Sequence, residues 1–164
     1  MTSCAVSRAT TAAVLAVCLV GCDLASPSVA LPLTPLDAAG STGIFSGIAD
    51  RRSIVVRDRP SFEALWAEIH RHHSVVPTAP DVEFATDMVV GFAMGEQPTS
   101  GFGVTITGVS RGRSGFRIEV EETQPSAACA LLPVITAPVA LARLTRTDEP
   151  IEFITESAVE DCGN

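Results

Sequence analysis

Five cysteines, three histidines and a few grouped carboxylates are the residues that could carry chemistry in this chain. Their spacing argues against most of it. No G-x-S-x-G is present, and Ser100-Gly101 stands in a turn with no strand-turn-helix elbow to expose a nucleophile. No cysteine is paired with a histidine in a pattern that would activate it. His70, His72 and His73 close a helical pattern, and His70 and His73 share a face. Neither a carboxylate nor a cysteine stands at ligand spacing beside them, so they read as the polar end that a helix dipole favours rather than as a metal site. Glu119 and Glu121 fall on the outward positions of an alternating segment, beside Glu122, and read as solvating charge. Walker loops, G-x-G-x-x-G and C-x-x-C are all missing. The expectation is a protein that is not an enzyme and has no catalytic residue, metal or cofactor.

Charge narrows the partners. Asp and Glu outnumber Arg by 19 to 11, there is no lysine, and the pI is near 4.7. Without clustered positive charge to neutralise phosphates, nucleic acid is not expected as a partner. Arg8 and the apolar run Ala12 to Val20 have the shape of a secretory signal, too short to span a bilayer as a helix. Leu19-Val20-Gly21-Cys22 follows and resembles the lipobox of bacterial lipoproteins. That resemblance implies cleavage after residue 21, acylation of Cys22, and a membrane-anchored protein of the bacterial envelope facing the periplasm or exterior. A retained helical anchor is the alternative. Asp23 resembles the inner-membrane retention signal of some Gram-negative lipoproteins.

The remaining cysteines can then be counted. Cys4 and Cys18 leave with the leader and Cys22 carries lipid, so Cys129 and Cys162 remain. In an oxidising compartment two such thiols read as one disulfide, with two free structural thiols as the alternative. Residues 22–43 are rich in Pro, Ala, Ser and Thr without a sustained period and read as a flexible tether ahead of a domain over 44–164.

Stepping along that domain, Ile44 to Ile48 and Ser53 to Arg57 read as strands around the turn Asp50-Arg51-Arg52. Phe62, Leu65, Trp66 and Ile69 form one apolar helical stripe, with Asp58 or Ser61 as the cap and Pro60 at the entry. Met88 to Met94 reads as a strand buried on both faces, and Phe102 to Val109 as an alternating strand. The two flank an exposed loop and form a central hairpin. Phe116 to Glu121, Val139 to Leu144 and Ile151 to Ile154 complete the set. The expected fold class is α+β: an antiparallel β-rich domain of six or seven strands with one amphipathic helix packed on the sheet.

The loop of that hairpin, Gly95-Glu96-Gln97-Pro98-Thr99-Ser100-Gly101-Phe102, together with Asp81-Val82-Glu83-Phe84 and Met88-Val89-Val90, resembles the C-terminal domain of the protease complex subunit PrcB family. Thr136-Ala137-Pro138-Val139 extends the likeness downstream. Ser100 and Phe102 stand where the family carries glycine and tyrosine. The resemblance implies a non-catalytic partner of a surface protease complex, a protein-binding or assembly module. Glu96, Gln97, Pro98, Thr99, Ser100, Gly101 and Phe102 are its candidate binding loop, since recognition tends to sit on fixed loops of rigid scaffolds. Pro98 to Phe102 also resembles one loop of chagasin-type inhibitors of cysteine peptidases, which makes a peptidase inhibitor the alternative. A purely structural envelope lipoprotein is the third reading.

Overall fold

The computed structural model describes residues 28–36 and 44–162. The expected leader 1–21, the expected acylation site Cys22 and the tether residues 23–27 and 37–43 lie outside them. Eight strands and one helix follow in order: β1 (Val29–Ala30), β2 (Thr34–Pro35), β3 (Arg52–Val56), α1 (Arg59–Ile69), β4 (Asp87–Ala93), β5 (Gly103–Gly112), β6 (Gly115–Pro125), β7 (Val139–Thr145) and β8 (Ile151–Glu160). They form two four-stranded sheets, β1-β5-β6-β8 and β2-β7-β4-β3.

The expected α+β class is corrected by this arrangement. Two sheets and a lone eleven-residue helix make a mostly β domain, with eight strands rather than six or seven. It is not wholly antiparallel either, because β6 and β8 pair in parallel from Phe116↔Ile151 to Pro125↔Glu160. Two local misreadings explain the difference. β4 and β5 are no hairpin; they lie in different sheets, and the loop between them is a crossing. Part of the stretch read as a flexible tether is laid into the fold: Val29 and Ala30 pair with Arg111 and Ser110, Thr34 and Pro35 with Arg143 and Ala142. Its leucines drive this, since Leu31 and Leu33 pack on one core and Leu36 on the other.

The β4 run is buried throughout, as its composition requires, and its alternation divides it between two cores. Val89 and Ala93 face α1, joining Ile54, Val56, Val139, Leu141, Phe62, Leu65, Trp66 and Ile69. Met88, Val90 and Phe92 face the other sheet, meeting Ile106, Val109, Ile118 and Val120. The molecule is therefore three layers deep: helix, inner sheet, outer sheet. Asp58 caps α1 by accepting from the Ser61 amide at 2.8 Å and its hydroxyl at 2.9 Å. Both bonds favour the ionised carboxylate and lower its pKa from the ordinary 3.8. The Trp66 indole N–H donates to the Pro77 carbonyl at 2.7 Å, so its polar edge is satisfied inside the layer.

Two sequence-derived strands change in detail. Ile44 to Ile48 makes only a single bridge, Phe45 to Ala137. In β5 the register slips between Ile106 and Gly108, and this bulge at Thr107 brings Val109 to the core face in place of Gly108.

Candidate functional site

The loop after β4 does not project freely. It lies along residues 131–137 and is stitched to them by backbone. The Gln97 amide donates to the Thr136 carbonyl at 2.7 Å and the Thr136 amide returns to Gln97 at 3.0 Å; the Ser100 amide donates to Leu132 at 3.1 Å. Side chains add to this. The Leu132 amide donates to the Ser100 hydroxyl at 3.0 Å, and the Thr136 hydroxyl donates to the Thr99 carbonyl at 3.0 Å. The Gln97 side-chain amide turns back to the Met94 carbonyl at 3.3 Å.

Glycine makes both ends of the loop possible. Gly95 has φ +75° and Gly101 φ +93°, and a Cβ on Gly101 would sit 2.9 Å from Pro125. At the first end the Glu96 amide donates to Ala49 at 3.0 Å, joining the loop to the turn that carries Arg51. Arg51 pairs with the buried carboxylate of Glu122 and lies 5.0 Å over the Phe92 ring. Glu122, grouped in sequence with the solvating carboxylates, is thus an inward residue that ties the turn to the outer sheet, while Glu119 and Glu121 are exposed.

Among the seven candidate loop residues the structure distinguishes two roles. Gln97 and Ser100 spend their polar groups within the protein, and Gly101 serves the backbone. Glu96 and Pro98 are exposed, Thr99 and Phe102 half-buried. Phe102 is therefore neither a free anchor nor a core residue.

The strand-like segment beside the loop supplies what sequence reasoning missed. Leu132 and Ile135 are 67% and 65% exposed, and Leu131 and Val134 are also open to solvent. Ile44 and Phe45, both exposed, join the same segment at Ala137, whose amide donates to Ile44 at 2.7 Å. A signal was available. Ala127 to Ile135 is nine residues with no charged, amide or hydroxyl side chain and with neither helical nor strand periodicity. It places four apolar side chains, Leu131, Leu132, Val134 and Ile135, at the surface of one short segment.

Cys129 and Cys162 form the expected disulfide, with Cα atoms 5.2 Å apart. Beside it the Ser126 amide donates to Glu160 at 3.0 Å and the Cys129 amide to Ser126 at 3.1 Å. The bridge anchors the start of the apolar segment to the end of β8, and the loop bonds anchor its far half. The segment is held at both ends while its side chains face water.

His70 and His73 pack on one another while His72 is exposed, so His70 is a core residue and not the polar helix end expected of it. His70 is fully buried, its ring 4.4 Å from Trp66 and 5.2 Å from His73. Its Nδ1 lies 2.8 Å from the Trp66 carbonyl, which can only accept, so Nδ1 carries the proton. Nε2 is buried and has no hydrogen-bond partner among the described residues. Among the described residues no three of His, Cys, Asp and Glu gather as a metal set, and no helix is long and apolar enough to cross a membrane.

What the geometry defines is a mostly β domain presenting a clamped apolar ridge next to a fixed loop. Residues 88–145 match the family model described as PrcB C-terminal, in line with the resemblance carried by the loop residues. The span runs from β4 through β7, so the loop and most of the apolar ridge lie inside it, while α1, β3 and β8 lie outside. Comparison with curated proteins and with solved structures finds no match to the chain.

Proposed function

We propose that this protein is a non-catalytic protein-binding or assembly module, acting as an accessory subunit of a protease complex at the bacterial envelope and moored through acyl chains on Cys22. The observation that carries the reading is the pairing of Leu132 and Ile135, widely exposed, with a segment pinned by a disulfide at one end and by reciprocal backbone bonds at the other. An apolar side chain already fixed in its binding geometry loses little conformational freedom when a partner covers it, which is the condition for a useful anchor. The match to the PrcB C-terminal family supports a protease as the class of partner. The lipobox-like Leu19-Val20-Gly21-Cys22 supports the mooring.

A photo-crosslinking residue placed at Leu132 or Ile135 in intact cells should capture one envelope peptidase. The same group at Arg113, in the β5–β6 turn roughly 30 Å away along strands of ten and eleven residues, should not. With the crosslinking group placed at Val134 instead, replacing both Leu132 and Ile135 by aspartate should abolish capture with little change in melting temperature. Equal capture from Arg113, or none from the ridge, refutes the assignment.

A further inference from the structure

The outer sheet ends in an open edge. We infer that β8 takes up an extended segment of a partner as a fifth strand, and that this segment alternates basic with apolar side chains. The surface is distinct from the ridge described above, and the inference stands whether or not the partner there is a protease.

The ladder fixes which groups are free. Phe116 donates to Pro150 at 2.8 Å and Ser126 to Glu160 at 3.0 Å, bracketing a parallel register that runs unbroken for ten pairs. In a parallel ladder each strand turns alternate residues to its neighbour. The even-numbered residues of β8 therefore bond β6. Ile151, Phe153, Thr155, Ser157 and Val159 turn their N–H and C=O groups outward, and among the described residues no strand lies beyond them. No proline and no bulge interrupts the strand, two of the devices that blunt such an edge.

Side-chain placement then selects the occupant. Partners in register share a face, so Glu156 lies beside Glu121, and Ile154 beside Glu119. Glu119, Glu121, Glu156 and Glu160 are exposed and enter no ion pair among the described residues. The one arginine on that face, Arg117, is spent on Glu152 at 3.6 Å. On the other face Ile151 and Phe153 border the core and are only half covered. A strand added here meets carboxylates on one side and, on the other, apolar surface at Ile151, Phe153 and Val159 with the Thr155 and Ser157 hydroxyls between them. A second copy of β8 would set glutamate against glutamate, which like charges on facing strands oppose. A strand with arginine or lysine at every other position is complementary on both faces.

The test uses the full-length protein and three ten-residue peptides. One alternates arginine with valine, one alternates glutamate with valine, and the third is the arginine peptide methylated on alternate backbone nitrogens. Calorimetric titration should show the arginine peptide binding at least roughly tenfold tighter than either other peptide, and weakening as salt rises. Hydrogen exchange should slow at the amides of Phe153, Thr155 and Ser157 and stay unchanged at Ile154 and Glu156. Thr155→Pro removes only an outward N–H, a position where an edge strand tolerates proline, and should keep the fold while abolishing binding. Glu121→Gln with Glu156→Gln, which leaves every backbone group in place, should weaken the arginine peptide and not the glutamate one. Equal affinity for the arginine and glutamate peptides overturns the proposal. So does binding without protection of the odd-numbered amides, or a dimer that sedimentation shows to be lost in Thr155→Pro.

Discussion

Removing the disulfide should cost this domain about as much as emptying a large buried side chain. Cys129 and Cys162 are 33 residues apart in sequence. Closing a loop of that length removes about 12.6 cal/mol/K from the unfolded chain, or roughly 3.8 kcal/mol at 25 °C. For a domain of roughly 130 residues, unfolding entropy near the midpoint is about 270 cal/mol/K, so the loss corresponds to about 14 °C in melting temperature. Paired Cys129→Ser and Cys162→Ser substitutions, followed by calorimetry and urea titration against the oxidised wild type, measure it directly. The same variant carries a local readout. Amides of residues 127–132 should exchange faster at temperatures well below the transition, because the start of the apolar segment loses its anchor while the bonds from Gln97, Ser100 and Thr136 still hold the remainder. A melting temperature lowered by less than about 3 °C, with unchanged exchange over 127–132, would refute the view that the bridge both constrains the chain and fixes the ridge.

Three further outcomes are expected. Trp66→Ala empties the centre of the α1 contact and removes the bond to Pro77, and should destabilise by about 3–5 kcal/mol in denaturant titration. Gly101→Ala must adopt φ +93° with a Cβ 2.9 Å from Pro125; it should lower stability by about 1–3 kcal/mol and increase exchange at Ser100 and Leu132. Asp58 contributes stability above its unfolded pKa of about 3.8, and this is lost as pH falls through its lower folded value, because only the ionised form accepts both Ser61 bonds fully. Asp58→Asn keeps a cap without that titration, so wild type and variant should differ at pH 6 and converge towards pH 2.5 when melting is followed by circular dichroism.

Local structure was legible wherever one physical requirement dominated. The helix and its Asp58 cap, the buried β4 run and the alternation of β6 each follow from a single period. The disulfide followed from counting thiols. Assembly was harder to read because the deciding contacts are distant. Nothing in Gly95 to Phe102 distinguishes a hairpin turn from a crossing between sheets, and both uses need the same glycines. The parallel partnership of β6 and β8 leaves no mark on either strand. Leu31, Leu33 and Leu36 stand among prolines beside two-residue strands that are too short to show a period. In the candidate site, Ser100 and Gln97 looked available since their polar groups were visible and the backbone atoms that engage them were not. The ridge leaves no readable pattern, because an apolar stretch without a period signals neither helix nor strand.

The order in which the outer sheet is completed constrains how the chain can fold. After leaving β6, the polypeptide must lay β7 in the inner sheet before β8 can return beside β6. Local zippering of neighbouring segments cannot achieve this, and entropy must be surrendered over a long excursion before the ten-pair ladder compensates. Assembly should therefore be slow and late, and a chain held open until its final strand has emerged would avoid the trap of an outer layer closed on the wrong neighbour.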